Sequence, residues 1–393
     1  MDVKQIYTIV NNATKEFLGE QTVLQEDLSN IVDIGNEIFN ADAVDAYVKS
    51  LVNHIGRVVF VNRPYAGSAP SVMMDAWEYG SVMEKITCDT PEATENKSWD
   101  LRDGQSYDVN VFHKPSVSAK FYNNRVTFEV PMSFTSMQVK QSFSNAEQLN
   151  SFLSMIETAI ENSMTIKLDS LVMRTINNMT ATTIWDSFAS GDETPALPST
   201  LSSVSGIRCV NLLKLYKDNG GTSSLTAEKA IKDKEFIRFS AYMLSLYSQR
   251  MTKISKLFNG GGKDRYTSPD RQHMILLSEF KTGADIFLQS DTFHNQYTAL
   301  SGCETVPFWQ GSGTGYDFSD TSKINVKTSD GHTVSQSGIL GVLFDRYALG
   351  VSNLNRRVTS NYNAKAEFYN NYYKMDAGYF NDANENFVVF FIA

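Results

Sequence analysis

A chain of 393 residues with 42% hydrophobic and 20% charged side chains has the make-up of a globular protein, and its length suits two or three domains. A formal net charge of −9 leaves no surplus of cations for the broad basic face on which tight, non-specific nucleic-acid binding depends. The longest apolar run, Phe387-Val388-Val389-Phe390-Phe391-Ile392-Ala393, is far short of the about 18 residues a membrane-spanning helix needs, so no membrane partner is expected.

Residues 1–20 mix charges and amides without the apolar segment of an export signal, which fits a soluble chain made in a cytoplasm. A helical pattern at residues 43–55 precedes the β-rich run Val58-Val59-Phe60-Val61, and residues 63–71, with two prolines, read as an extended connector. Residues 78–87 are strand-like. Residues 88–108 are polar and rich in acids (Glu92, Glu95, Asp100, Asp103, Asp108), and alternation resumes over residues 107–119. Two extended segments joined by a polar tip describe either a long projecting β-hairpin or an ordinary surface loop. Residues 121–134 predict a short hairpin around Asn123-Asn124, a turn-prone pair.

No Gly or Pro occurs from residue 132 to residue 190, and Leu149, Leu153, Ile156, Ile160, Met164, Leu168, Leu171 and Val172 recur at helical steps. Ser144 followed by Glu147 fits a capping box. The spacing predicts one helix over residues 145–178, about 50 Å long at ~1.5 Å per residue. So long a helix acts as a beam, which points to architecture before catalysis.

Residues 187–206, dense in Ser, Thr, Pro and Gly, read as a linker to a second body at residues 207–336. There Thr226 is a candidate cap, a helix is predicted over residues 233–258 with a stop at Gly260-Gly261-Gly262, and residues 273–277 suit a buried strand. Residues 279–289 suit a helix, residues 308–319 a loop rich in Gly and aromatic side chains, and residues 324–328 a strand. Residues 338–393 alternate and are aromatic, predicting several antiparallel strands.

Signals of chemistry are sparse. Asn259-Gly-Gly-Gly-Lys263-Asp264 fails as a phosphate loop, because Leu257 stands where a Gly is required and Asp264 would repel phosphate; a helix cap and mobile loop are expected instead. Gly311-Ser-Gly313-Thr-Gly315 lacks the strand and helix that make a dinucleotide fingerprint useful. His54, His113, His273, His294 and His332 are scattered without ligand spacing, with His113 and His332 expected at the surface. Cys88, Cys209 and Cys303 form no C-x-x-C pair and read as buried free thiols. No catalytic residue, metal ligand or cofactor-binding residue is assigned, and a structural protein is expected in place of an enzyme.

The order of segments resembles the major capsid protein of tailed bacteriophages, the Hong Kong 97-type fold, and looks closest to those of short-tailed phages. The resemblance rests on Glu78-Tyr79-Gly80-Ser81-Val82-Met83-Glu84-Lys85-Ile86 as the strand entering the family's extended loop, and on Val111-Phe112-His113-Lys114-Pro115 through Lys120-Phe121-Tyr122 as its return. It rests also on the long helix, on Gly341-Val342-Leu343-Phe344-Asp345-Arg346-Tyr347-Ala348-Leu349-Gly350, and on Thr359-Ser360-Asn361-Tyr362-Asn363, Tyr372-Tyr373-Lys374 and Phe387-Val388-Val389-Phe390. It implies an α+β fold with a long spine helix, a peripheral domain, an axial domain, an extended β-hairpin arm and an N-terminal arm. The implied boundaries are residues 1–65 for the N-terminal arm, 66–84 and 119–206 for the peripheral domain with its spine helix at 145–178, 85–118 for the extended loop, 207–336 for the axial domain and 337–393 for the closing peripheral strands.

The implied function is a major capsid protein that self-assembles into hexamers and pentamers of an icosahedral-type shell enclosing double-stranded DNA, made in the host cytoplasm and resident in the virion. Scaffolding and portal proteins are the implied partners. Trp99 and Phe112 on the extended loop are candidate intersubunit anchors. Some relatives cross-link a Lys to an Asn across subunits; Lys85, Lys97 and Lys114 are interface candidates that could be donors only in principle, no acceptor is marked, and cross-linking is not expected. The rival readings are an encapsulin-like nanocompartment shell, another phage structural component such as a tail or portal-associated protein, and an enzyme whose site is not visible in the sequence.

Overall fold

The computed structural model describes residues 69–74, 83–93, 95, 100–104, 106, 110, 112–135, 146–190, 195–198, 200–289, 303–310, 315, 317–328 and 330–393. The expected N-terminal arm, the proposed capping box at Ser144 and the glycines at 311 and 313 lie outside them. The fold is mixed α/β. In chain order come β1 (Met73–Met74), β2 (Met83–Cys88), β3 (Val117–Tyr122), β4 (Arg125–Thr135), helix α1 (Ala146–Phe188) and β5 (Cys209–Asn211). Helices α2 (Leu212–Asp218), α3 (Ala227–Ala230) and α4 (Lys234–Met251) follow, then β6 (Gln272–Leu277), α5 (Ser278–Gln289) and β7 (Glu304–Val306). The chain continues through α6 (Phe318–Thr321), β8 (Ile324–Lys327), β9 (Thr333–Gln336), β10 (Ile339–Asp345), β11 (Leu349–Asn363), β12 (Phe368–Asn381) and β13 (Phe387–Phe391). These elements form two compact units, divided at residues 78/79, 124/125, 172/173, 350/351 and 378/379.

In the first unit a four-stranded sheet has the order β1-β11-β12-β4. Strand β12 pairs antiparallel with β4 from Phe368↔Thr135 to Gly378↔Arg125, and β1 pairs parallel with β11. Exposure alternates along β4, as a half-buried sheet requires. Over this sheet α1 lays the face that its spacing marks: Ile160, Met164, Leu168, Leu171 and Val172 are all buried, and Ile160 and Met164 share a small void with Val358, Tyr373 and Met375. Ion pairs Arg356–Glu161 (3.2 Å) and Lys374–Glu129 (3.2 Å) rim the unit. Burial tends to raise the Asp376 carboxyl, but hydrogen bonds from Arg357 and Thr127 override it and hold the group below the ordinary carboxylate range.

The second unit is built on a five-stranded sheet of order β5-β13-β10-β6-β7. Strand β13 pairs antiparallel with β10 and parallel with β5, while β6 pairs antiparallel with β10 and parallel with β7. Every residue of β10 and β13 is buried, which explains their nearly continuous apolar sequences: each is covered on both faces. Helices α4 and α5 pack together, with α5 against β6 and β7 and α2 against α4 and β13. A separate hairpin of β8 and β9 completes the described pairings of this unit apart from the β2–β3 pair.

Helix α1 runs ten residues beyond the expected end at residue 178, for a total of 43 residues, about 65 Å. The extension was hidden because this stretch is buried nearly all round, so no single apolar stripe marks it: Thr175, Asn177, Thr180 and Thr183 are buried along with Ile176, Met179, Ala181 and Ile184. Several of their polar groups are hydrogen-bonded, while Thr180 Oγ1 and Asn177 Oδ1 have no partner among the described residues. Asn177 Nδ2 donates to the Trp309 carbonyl at 2.6 Å, Thr183 Oγ1 to the Met179 carbonyl at 2.8 Å, and the Thr175 carbonyl accepts from Asn381 Nδ2 at 3.3 Å. His332, expected at the surface, stacks on Trp185 with ring centroids 4.0 Å apart and is only half-exposed.

Two further expectations are corrected. Asn123-Asn124 does not turn a hairpin: β3 pairs with β2 and β4 with β12, so the two asparagines hand the chain from one sheet to another. Helix α4 starts where expected, with the Asp233 side chain accepting from the Phe236 amide at 2.8 Å, but it stops at Met251 because Ser255 and Arg265 pair as an isolated bridge and draw the chain back. The glycine triplet therefore belongs to a clamped loop, not a mobile one. Asn259 Oδ1 accepts from the Lys263 amide at 2.8 Å, and its Nδ2 donates to the Lys263 carbonyl at 2.7 Å.

Gly338, entering β10, has φ +82°, and a Cβ there would collide with the Ile392 carbonyl oxygen. Gly338→Ala is expected to destabilise the second unit by about 1–3 kcal/mol from backbone strain, and by more if the contact cannot relax, read as a lowered melting temperature.

Candidate subunit-contact site

The β2–β3 hairpin carries the candidate contact residues. Its register, Glu84↔Phe121, Ile86↔Ala119 and Cys88↔Val117 alternating with Met83↔Tyr122, Lys85↔Lys120 and Thr87↔Ser118, divides it into two faces. The first set is the exposed one: Ile86 and Phe121 are each 65% exposed and Val117 58%. The second set carries the lysines, and it is the set tied to the rest of the unit. Polar inside and apolar outside inverts the usual arrangement of a half-buried sheet.

Charge pairing accounts for the inversion. Lys85 Nζ donates to Asp382 Oδ2 at 2.7 Å, to Glu385 Oε1 at 2.7 Å and to the Tyr347 carbonyl at 3.2 Å, which uses all three ammonium hydrogens. Lys120 Nζ reaches the other oxygen of Asp382 at 2.9 Å, and Arg265 Nε lies 3.5 Å from Glu385. Asp382 and Glu385 sit in the turn between β12 and β13, where Asp382 Oδ1 also accepts from the Asn384 amide at 3.1 Å. Tyr122 rests on Phe380 with centroids 5.1 Å apart, and burial, with Asp382 close by, pushes its hydroxyl pKa up.

A second tie lies where the hairpin strands end. Asp89 accepts from Lys263 Nζ at 2.9 and 3.1 Å, from Ser116 Oγ at 3.0 Å, and its amide donates to the Ser116 carbonyl at 2.9 Å. The Lys263 and Ser116 hydrogen bonds hold its carboxyl below the ordinary range. Burial works to raise the carboxyl of Asp382, but the Lys85 and Lys120 ammonium groups lower it further. The lysine that sequence comparison with a phosphate loop singled out is thus a strut for the arm.

Beside this root is a cleft of about 430 Å³, with Lys85, Arg265, Arg271, Asp264, Asp345 and Glu385 among its charged walls. Among the described residues no group of three His, Cys, Asp or Glu is placed to hold a metal ion, and no helix is long and apolar enough to cross a membrane. What the arrangement provides is a fixed root and an uncovered apolar face, a geometry for contact.

The model of one protein family, Phi29-like phage major capsid protein, matches residues 6–391. The chain belongs to that family. It is a phage major capsid protein, a component of the capsid shell. Among solved structures it is similar to a capsid chain of Staphylococcus phage Andhra (10% identity, covering 82% of this chain and 83% of that one, TM-score 0.49). It is similar also to capsid chains of cyanophage P-SCSP1u (10% identity, 82% and 86% covered, TM-score 0.46) and of the mature bacteriophage PhiM1 capsid (8% identity, 85% and 88% covered, TM-score 0.41). No curated protein matches.

Of the capsid protein's residues singled out from sequence, Lys85 lies in the charge cluster, with its hydrogen bonds spent inside the subunit. Phe112 is 84% exposed and Lys114 is exposed, both in the segment between the hairpin strands. Lys97 and Trp99 lie outside the described residues. Lys120, Arg265, Asp382 and Glu385 were missed. Their one sequence signal is that Lys85 and Lys120 occupy strand positions among apolar neighbours, and nothing local reveals a partner more than 260 residues away.

All three thiols are free, and only Cys209 is buried as expected. Cys88 is exposed, because alternation turns it outward with Ile86. Cys209 is buried, and desolvation pushes its thiol up to about 12, which leaves it unreactive. Cys303 is half-buried and raised by the same cause.

Removing the Asp382 charge takes from Lys120 its carboxylate partner and from Lys85 one of two. Asp382→Asn is expected to cost about 1–3 kcal/mol, Lys120 being partly screened by solvent, and to raise protease cleavage within residues 85–118. Depressed carboxyl groups stabilise the folded form above their ordinary pKa and lose that effect as pH falls through the depressed value. Amide exchange in β2 and β3, corrected for intrinsic rate, should therefore stay slow down to about pH 4 and accelerate below it.

Proposed function

We propose that this capsid protein adopts a Hong Kong 97-type fold and assembles as hexamers and pentamers of a closed icosahedral-type shell around double-stranded DNA. The observation that carries the reading is the outward apolar face of the arm, Ile86, Val117 and Phe121 together on a hairpin whose polar side is locked down. Exposed apolar faces of that kind mark places where another protein sits. In this reading residues 85–118 lie over a neighbouring subunit, with Trp99 and Phe112 as anchors, and Lys85, Lys97 and Lys114 belong to the same contact region.

Helix α1 acts as the spine, residues 66–84, 119–206 and 337–393 form the peripheral domain, residues 207–336 the axial domain, and residues 1–65 an N-terminal arm. Heterologous contacts of this sort close into rings and then into a cage. A net charge of −9 fits a wall that surrounds DNA without gripping it. A scaffolding protein and a portal protein are the partners such a shell needs, assembly takes place in the host cytoplasm, and the role is not catalytic.

Co-expression with the phage's candidate scaffold, followed by sedimentation and electron microscopy, tests the reading. Closed particles are expected; a monodisperse monomer under all conditions contradicts it. Trp99→Ala and Phe112→Ala should lower particle yield without shifting the monomer's melting temperature, and a loss of monomer stability instead would reassign those side chains to the core.

A further inference from the structure

Among the described residues, the cleft beside the arm root has apolar walls left open to solvent. Ile86, Ile254, Tyr266 and Tyr347 all line it, and each is among the large apolar side chains most open to solvent. Four such side chains around one space of about 430 Å³ are unusual on a surface where single exposed apolar residues are the norm. The segment that supplies two of them is also basic: Arg250, Lys253 and Lys256 are exposed on either side of Ile254, and Leu257 is exposed next to Lys256. Among the described residues Lys256 holds a loose surface pair, 3.5 Å, with Asp264.

The arm's far part has the opposite charge. Its described residues include the exposed acids Glu92, Glu95, Asp100 and Asp103, with Arg102 the one guanidinium among them. Leu101, between Asp100 and Asp103, is 64% exposed, and Phe112 is the most exposed large apolar side chain described. Gly104, at φ +83°, turns the chain just beyond. The same molecule thus carries an acidic, apolar projection and an apolar cleft whose charged walls are balanced, flanked by the basic run Arg250, Lys253 and Lys256.

We propose that the arm tip of one copy docks at this cleft of a second copy, with Phe112 entering among Ile254, Tyr266 and Tyr347 and with Asp100 and Asp103 facing Lys253 and Lys256. The inference rests on the shell reading above and adds where on the neighbour the arm lands. Two different patches that complement each other make a head-to-tail contact, which propagates around a ring. A buried aromatic covers about 150–250 Å² and anchors such a contact, and opposite charges at its rim fix the register. The root of the receiving subunit's own arm forms one wall of the cleft, through Lys85 and Ile86, so docking stiffens the arm that will reach the next copy.

The test places the photoreactive analogue p-benzoylphenylalanine at position 112 in chains co-expressed with the scaffold, using a mixture of isotopically light and heavy copies. Irradiated particles, digested and read by mass spectrometry, should show light-to-heavy cross-links from position 112 to residues 254–266 or to Tyr347. Particles that form but cross-link elsewhere, or only within one copy, overturn the docking site and leave the shell reading intact. If the unmodified chain forms no particles, the shell reading fails and the docking inference falls with it. A second measurement uses charge. Lys253→Glu with Lys256→Glu should lower particle yield by about tenfold or more with an unchanged monomer melting temperature, and Asp100→Lys with Asp103→Lys should restore it. Failure of the reversed pair to restore assembly overturns the charge pairing.

Discussion

The contact between Asp382 and the two lysines of the arm root decides which side of the hairpin faces outward. A β-ribbon with Ile86, Val117 and Phe121 on one side and Lys85 and Lys120 on the other would, by apolar burial alone, lie the other way up. Paired carboxylates alter that preference. Lys85 finds three acceptors and Lys120 one, so turning the lysines inward leaves no ammonium uncompensated, and Tyr122 adds an aromatic contact with Phe380. The apolar side is then left to solvent in the single subunit. The packing of the hairpin and the exposure of its apolar face are therefore set by one cluster of charges.

That cluster depends on the central sheet. Asp382 and Glu385 occupy the turn that leads into β13, and β13 is fixed between β5 and β10 with all five of its side chains buried. The Asp382 amide is itself engaged, donating to the Ala348 carbonyl at 2.7 Å, and the Phe387 amide donates to the Phe258 carbonyl at 2.9 Å. A rigid apolar strand thus positions two carboxylates that no helix or strand of their own would hold. Charged groups can be this particular about geometry only where the backbone beneath them does not move.

How much of this could be read in the sequence varied with burial. The stripe from Ile160 to Val172 was plain because one face of α1 is covered and the other is not, whereas residues 179–188 were opaque because burial on most sides blurs periodicity. The runs of β10 and β13 were visible as apolar blocks, yet their neighbours in the sheet were not, since an apolar block carries no information about which strand lies beside it. The arm strands announced themselves by alternation, but the direction of each face depended on carboxylates far away in the chain. Asn123-Asn124 misled because the residues that suit a hairpin turn equally suit a handover between two sheets. At α4, the stop came from the Ser255–Arg265 bridge, a tertiary pairing, so the glycines that look like the stop are displaced from it.

The strand order of the central sheet has a consequence for how the subunit comes into being. Val389 pairs with Cys209, and Leu343 lies between Met274 and Val388, so neighbours in space are drawn from widely separated stretches of chain. Sheets with such pairings close slowly, because long loops must be ordered before any contact rewards them. Until closure, the Asp382 turn has no fixed place and the arm's two faces are not yet distinguished. A newly made chain therefore passes through a period in which its sticky surface is presented without its orientation, alongside many identical copies. Time spent in that state, multiplied by the abundance of a shell component, makes the yield of correctly folded subunits a matter of concentration.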